Sequence, residues 1–162
     1  MSNVQSRLGS LEDERKITRV LTRYCDLLDT GNADQIASEI FAADGIADYH
    51  DYVVTGREAI NAFLVENMGQ YAHTAHTLSN VFVRSCDGTR AEVTSSITAL
   101  HWLQEPSNGG SEVHGDLAVI VANTDQLQLM PEGWRITKRQ TRPLGRSFLV
   151  VQGPSKTMIV DS

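Results

Sequence analysis

The sequence predicts an α+β domain, with three N-terminal helices packed on a curved, mainly antiparallel sheet. Up to about residue 68, apolar residues recur at three- and four-residue steps, the period of an amphipathic helix. After Gly69 the pattern changes to alternation, the period of a strand with one buried face. Asp87-Gly88 and Pro131-Glu132-Gly133 then separate the alternating runs, as hairpin turns do. Helices first and strands afterwards is the α+β layout, and the sheet must curl over the helices to bury both apolar faces. Such curling leaves a concave pocket between the layers.

The first helix opens at Ser10-Leu11-Glu12-Asp13, which reads as a capping box with an acidic first turn. Ile17, Val20, Leu21, Tyr24 and Leu28 form its apolar stripe, and Gly31 ends it. Asp29 lies at i+8 from Leu21 and i+4 from Cys25, on the border of that stripe. Asp26, at i+3 from Arg23, falls on the solvent side. An inward carboxylate needs partners, because burying a bare charge is costly. Residues 32–43 read as a second helix with Ile36, Ile40 and Phe41 buried, and 46–50 as a short strand. A third helix runs from Gly56 to about residue 67, with Ile60, Phe63 and Leu64 on one face.

Four strands follow. In 76–84, His76, Leu78, Asn80 and Phe82 share a face; in 90–104, Val93, Ile97, Ala99 and His101 do. In 113–129, Leu117, Val119, Val121 and Asn123 share one side, and 134–141 closes the meander. The tail from Pro143 carries Phe148-Leu149-Val150-Val151, expected to pack over the body or to join a subunit contact.

Length and composition narrow the function. A chain of 162 residues reads as one domain, 1–162, with its core at about 10–142 and a C-terminal tail at 143–162. A net charge of −6 without a clustered basic face argues against nucleic acid as a partner. The first residues lack the apolar stretch of a secretory signal, and no run is long enough to span a membrane. Two cysteines without a C-x-x-C spacing point to free thiols in a reducing cytoplasm. The five histidines match no zinc spacing, and no Walker, dinucleotide or nucleophile-elbow motif occurs. No metal and no organic cofactor is expected.

Asp29, Tyr49, His76, His101 and Asn123 nevertheless fall on faces that are otherwise apolar. Each alone has an ordinary explanation: a local cap, a satisfied core histidine, a tyrosine with its hydroxyl at the surface, a pinned bulge. Their number points to use, since every inward polar group must find a hydrogen-bond partner. His114, on the opposite parity from Asn123, is expected outside the pocket.

Several segments resemble the SnoaL-like families of the superfamily related to nuclear transport factor 2. They are Arg23-Tyr24 followed by Asp29, Gly56-Arg57-Glu58-Ala59-Ile60, His73 and His76 followed by Thr77 and Asn80, and Gly133-Trp134-Arg135-Ile136. The resemblance implies a cone-shaped α+β barrel. Among these families, scytalone dehydratases, hexachlorocyclohexane dehydrochlorinases and bile-acid 7α-dehydratases eliminate a leaving group with an Asp–His pair. Carried over by position, the pair is Asp29 and His76, with Tyr49 and His101 as further catalytic groups. Tyr24, Asn123 and Arg142 would bind substrate, although the count to Arg142 is off by about one residue. Leu28 stands where the scytalone dehydratases have a tyrosine beside the aspartate. Val20, Phe63, Leu78, Phe82, Val119 and Val121 would form an apolar wall suited to a small hydrophobic, ring-containing substrate. The expected activity is a cofactor-independent, dehydratase-type lyase. The alternatives are an isomerase or polyketide-type cyclase with the same dyad, or a non-catalytic binder like the dioxygenase small subunits. A homo-oligomer, dimer or trimer, is expected.

Overall fold

The computed structural model describes residues 2–103, 116–145 and 148–150. Helix α1 (Ser2–Asp29) is followed by α2 (Ala33–Ile40), strands β1 (Phe41–Asp48) and β2 (Val53–Thr55), and α3 (Arg57–Met68). The long strands β3 (Tyr71–Cys86), β4 (Arg90–Leu103), β5 (Asp116–Met130) and β6 (Gly133–Pro143) follow, then a short β7 (Phe148–Val150). The sheet order is β2-β1-β6-β5-β4-β3. All neighbours are antiparallel except β1 and β6, which run parallel. The sheet is therefore mixed, curved over the three helices and open at β2 and β3. Strand β7 pairs with Asp116–Ala118 of β5, so this part of the tail extends the sheet. None of the described helices is long and apolar enough to cross a membrane.

Several element boundaries differ from the sequence reading: β1 spans Phe41–Asp48 instead of 46–50, and β2 is an additional strand. Helix α1 begins at Ser2, so Ser10-Leu11-Glu12-Asp13 lies inside it and caps nothing. No proline separates Ser2 from Ser10, and one interior glycine does not stop a helix. Helix α2 ends at Ile40, because Phe41 turns extended (φ −96°, ψ 150°) to pair with Ile136 of β6. Within β1 the register shifts between Phe41 and Ile46. Gly45 permits this: a Cβ there would sit 3.1 Å from the Ala42 carbonyl oxygen. Strand β3 begins at Tyr71, earlier than the alternation alone indicates.

The core forms between the helices and the concave sheet face. Ile17, Leu21, Leu27, Ile36, Ile40 and Ile60 meet Val93, Leu127 and Ile136, all essentially inaccessible. Inside β3 a bulge changes which side chains reach this core. His76 pairs with Ala99 and Leu78 with Ile97, but Phe82 pairs with Thr94, so one extra residue is inserted after Ser79. Asn80 absorbs the kink at φ 50°. Alternation resets there: Val81 and Val83 pack on the core, while Phe82 is 57% exposed with the Arg84 guanidinium 4.8 Å over its ring. Phe82 is therefore no part of the inner wall.

One ion pair is sealed in the core. Asp125 of β5 and Arg139 of β6 face each other in register and are joined by two hydrogen bonds of 2.8 and 2.9 Å. They are 0% and 1% exposed. Removing one partner strands the other's charge, which typically costs about 3–5 kcal/mol. Asp125→Ala is expected to lose stability of that order in urea unfolding, well beyond an exposed control such as Asp34→Ala.

Candidate active site

Asp29 is the last residue of α1, and the chain turns away through Thr30 and Gly31 at φ 74°. This leaves its carboxylate free to reach across to β3. His76 donates Nδ1–H to Oδ1 at 2.5 Å, and the backbone N–H of His76 donates to Oδ2 at 2.7 Å. The Thr74 hydroxyl donates to Oδ1 at 2.9 Å, with the Leu28 carbonyl a longer alternative at 3.3 Å. Two residues apart on one strand, Thr74 and His76 share a face, so they grip the carboxylate together. With Nδ1–H committed to Asp29, the neutral imidazole carries its lone pair on Nε2. Asp26, by contrast, pairs with Arg23 at 2.6 Å on the solvent side.

The dyad lies at a boundary. The His76 side chain is 6% exposed, whereas that of Asp29 is 28% exposed. Asp29 is thus a half-buried carboxylate. Its outer side borders a groove that Asp34, His73 and Thr74 also line.

Inside the cone, His76 lines a cavity of about 270 Å³. The same wall carries Tyr24, Tyr49, Phe63, His101, Val119, Val121 and Asn123. Tyr49 stacks on Phe63, with centroids 5.0 Å apart, and its hydroxyl meets that of Tyr24 at 3.3 Å. Burial pushes the Tyr49 hydroxyl well above its ordinary pKa, so it remains a proton donor. His101 stands edge-on to His76 at 5.4 Å and against Tyr71 at 4.4 Å. Burial, and then the charge of a protonated His76, hold His101 below the ordinary histidine value; the Leu117 carbonyl and Asp29 oppose this. Asn123 Oδ1 accepts from the Thr141 hydroxyl at 2.7 Å.

Four residues expected in this wall lie elsewhere. Phe82 points outward beyond the β3 bulge. Leu78 is half-buried against the core and does not border the cavity. Val20 opens onto a different concavity between α1 and β6. Arg142 forms a two-pronged ion pair with Asp48, at 2.6 and 2.7 Å, on the outer surface. There it draws the Asp48 carboxyl down to about 2. His114 lies outside the described residues.

The arginine that does line the cavity is Arg139, the buried partner of Asp125. Its guanidinium sits 4.1 Å over the Tyr24 ring, a cation–π contact that fixes the tyrosine from behind. Alternation counted from Trp134 and Ile136 points to Lys138, Gln140 and Arg142; the register shift between Gln126 and Leu127 instead brings Arg139 and Thr141 to the inner face of β6 and turns Arg142 outward. Thr74 had a signal, two residues before His76.

Three cavity-lining residues carry a buried polar atom with no partner among the described residues: His101 Nδ1, Asn123 Nδ2 and Arg139 Nη1. Buried polar groups are almost always satisfied, so these three atoms are free to bond a polar group or water in the cavity. No cluster of three or more His, Cys, Asp or Glu among the described residues could hold a metal ion.

Comparison with known proteins agrees with this architecture. The SnoaL-like domain matches residues 9–140. No curated protein matches. A scytalone-dehydratase-like protein from Novosphingobium aromaticivorans is similar in structure (TM-score 0.75, 22% identity, 90% of this chain and 92% of that one). So is a type 2 hexachlorocyclohexane dehydrochlorinase (TM-score 0.75, 14% identity, 91% and 98% covered). An NTF2-like protein with a cystatin-like fold, also from Novosphingobium aromaticivorans, reaches 25% identity at a TM-score of 0.69, with 89% and 90% covered.

The lowered His101 value has a consequence for stability. The folded state disfavours protonated His101, so its contribution is complete above the ordinary value of about 6.5 and is lost as pH falls through the lowered one. His101→Phe removes this dependence. In thermal unfolding, wild type is expected to lose stability relative to His101→Phe as pH drops from about 7.5 towards 5.

Proposed function

The chain belongs to the SnoaL-like domain family, and within it we propose a cofactor-independent lyase that eliminates water from a compact hydrophobic, ring-containing substrate. One observation carries the reading. Asp29 holds Nδ1 of His76 at 2.5 Å while the same ring lines a cavity that opens to the surface. That arrangement is a general base with a fixed tautomer. Structural neighbours carry the names of a scytalone dehydratase and a dehydrochlorinase, both names of eliminating enzymes, which supports the reaction class.

In the proposed reaction, His76 Nε2 removes a proton from a carbon next to a carbonyl. The C–H electron pair forms the new double bond through the enolate, and the imidazolium is stabilised by Asp29. It then returns the proton to the departing hydroxyl, which leaves as water. Charge developing on the carbonyl oxygen needs donors that do not have to reorganise. The protonated Tyr49 hydroxyl, Asn123 Nδ2 and Arg139 Nη1 supply candidates in the same cavity. At about 270 Å³ the cavity sits just below the roughly 300–1,000 Å³ of typical ligand pockets, which favours one or two rings over a larger skeleton. Phe63, Val119 and Val121 supply its apolar face.

A second reading follows from His101. With its ring 5.4 Å from His76 and held towards the neutral form, it could exchange a proton at another carbon. The same dyad would then isomerise or cyclise the substrate. Product mass separates the two: loss of water defines the lyase, and unchanged mass defines the isomerase.

The test is a screen of ring-containing hydroxy-ketones, followed by variants on the substrate found. Asp29→Asn and His76→Ala are each expected to lose at least about 10² in kcat with little change in Tm. Activity within a few-fold of wild type in both would overturn the proposal. Thr74→Val removes one of the three bonds to Asp29, so an intermediate loss of about tenfold is expected, with Thr74→Ser restoring the rate.

A further inference from the structure

Val20 follows the period of the inner stripe, yet it opens onto a separate groove of about 390 Å³ between α1, the end of α2 and the β5–β6 hairpin. Lys16, Arg19, Val20 and Arg23 border it from α1, at the spacing that aligns side chains along one helix face. Arg135 enters from the hairpin. Leu129 and the half-buried Val20 supply apolar surface over the buried Ile40 and Trp134, and Glu39 is the one acidic residue lining it. No residue is shared with the cavity that His76 lines.

The four cations are not equally occupied. Arg23 is held by Glu39 at 2.9 and 3.2 Å and by Asp26 at 2.6 Å. Lys16 pairs with Glu12 at 2.8 Å. Arg19 makes no hydrogen bond or ion pair among the described residues and is exposed. Arg135 donates to the Trp134 carbonyl at 3.0 Å, but its Nε is buried without a partner. Arg19 and Arg135 thus make no hydrogen bond or ion pair with a carboxylate among the described residues, although the charge of Arg135 reaches Glu39, and they lie beside a 42% exposed Leu129. In a chain of net charge −6, such a local excess of positive charge selects for anions.

We propose that this groove binds a small amphiphilic anion, a carboxylate carrying a short hydrocarbon body. Arg19 and Arg135 would take the carboxylate, whose two oxygens match the guanidinium fork, and the buried Arg135 Nε would gain the acceptor it lacks. The hydrocarbon would cover Leu129 and the half-buried Val20, removing apolar surface from water. The volume is that of a small-ligand pocket, which favours a short-chain carboxylate over an acidic protein segment.

Calorimetric titration of the full chain with octanoate, and with octan-1-ol as its uncharged counterpart, tests the site. Saturable 1:1 binding of octanoate is expected, with octanol much weaker. Arg19→Ala and Arg135→Gln should each weaken octanoate by about tenfold, as loss of a charge-assisted contact does. His101→Phe, in the other cavity, should leave it unchanged. Arg19 is an exposed helix residue, so Arg19→Ala keeps the test valid even if Arg135→Gln unfolds. The proposal is overturned if octanoate does not saturate, if octanol binds equally, if Arg19→Ala binds as wild type, or if His101→Phe abolishes binding. It is equally overturned if a glutamate-rich peptide binds at this groove and octanoate does not.

Discussion

Three hydrogen bonds converge on the Asp29 carboxylate, and they join the end of α1 to the third strand of the sheet. Two come from side chains and one from the backbone of His76, so the contact sets strand position as well as ring orientation. A helix terminus offers a side chain that can leave the helical surface, because the chain ends its regular path there. A β-strand offers donors at fixed two-residue spacing. The dyad is the meeting of these two geometries. It also explains why Asp29 tolerates partial exposure: its position is fixed by donors instead of by burial.

Another part of the cavity lining is governed by charge. Arg139 and Asp125 are fully buried and satisfy each other through two bonds. Their pairing lets a guanidinium sit under the Tyr24 ring and lets Tyr24 and Tyr49 meet at their hydroxyls. Such a network is expensive to assemble in a core and stabilises little by itself. What it provides is a set of donors already oriented in a water-poor space, the condition under which a developing oxyanion is best stabilised. The unpaired His101, Asn123 and Arg139 atoms fit that use better than they fit a purely structural core.

Much of this was legible in the sequence because two periods, 3.6 and 2, report which side chains turn inward. The helical period turned Tyr24 and Leu28 inward and put Asp29 at the edge of the stripe, where it lines the outer groove and reaches His76; strand parity put His76, His101, Asn123 and Val121 on the cavity. It failed where the backbone breaks its own period. The extra residue after Ser79 turns Phe82 outward, and nothing in the local residue types announces it. Val20 marks the edge of the stripe, where a small rotation exchanges one concavity for another. Arg139 is a second such case: the register shift beside Leu127 breaks the alternation of β6 between Ile136 and Arg139, which brings Arg139 inward opposite Asp125 and turns Arg142 out.

The tautomer of His76 is the most direct observable of the dyad. Nitrogen-15 chemical shifts of ring-labelled histidine report which nitrogen carries the proton in the neutral imidazole. For His76 the hydrogen bond to Asp29 predicts the Nδ1–H form, with Nε2 unprotonated and available to the cavity. Asp29→Asn should shift the ring away from that form. A neutral His76 found with Nε2–H, or one whose tautomer is indifferent to Asp29→Asn, would contradict the assignment of His76 as an Asp29-oriented base.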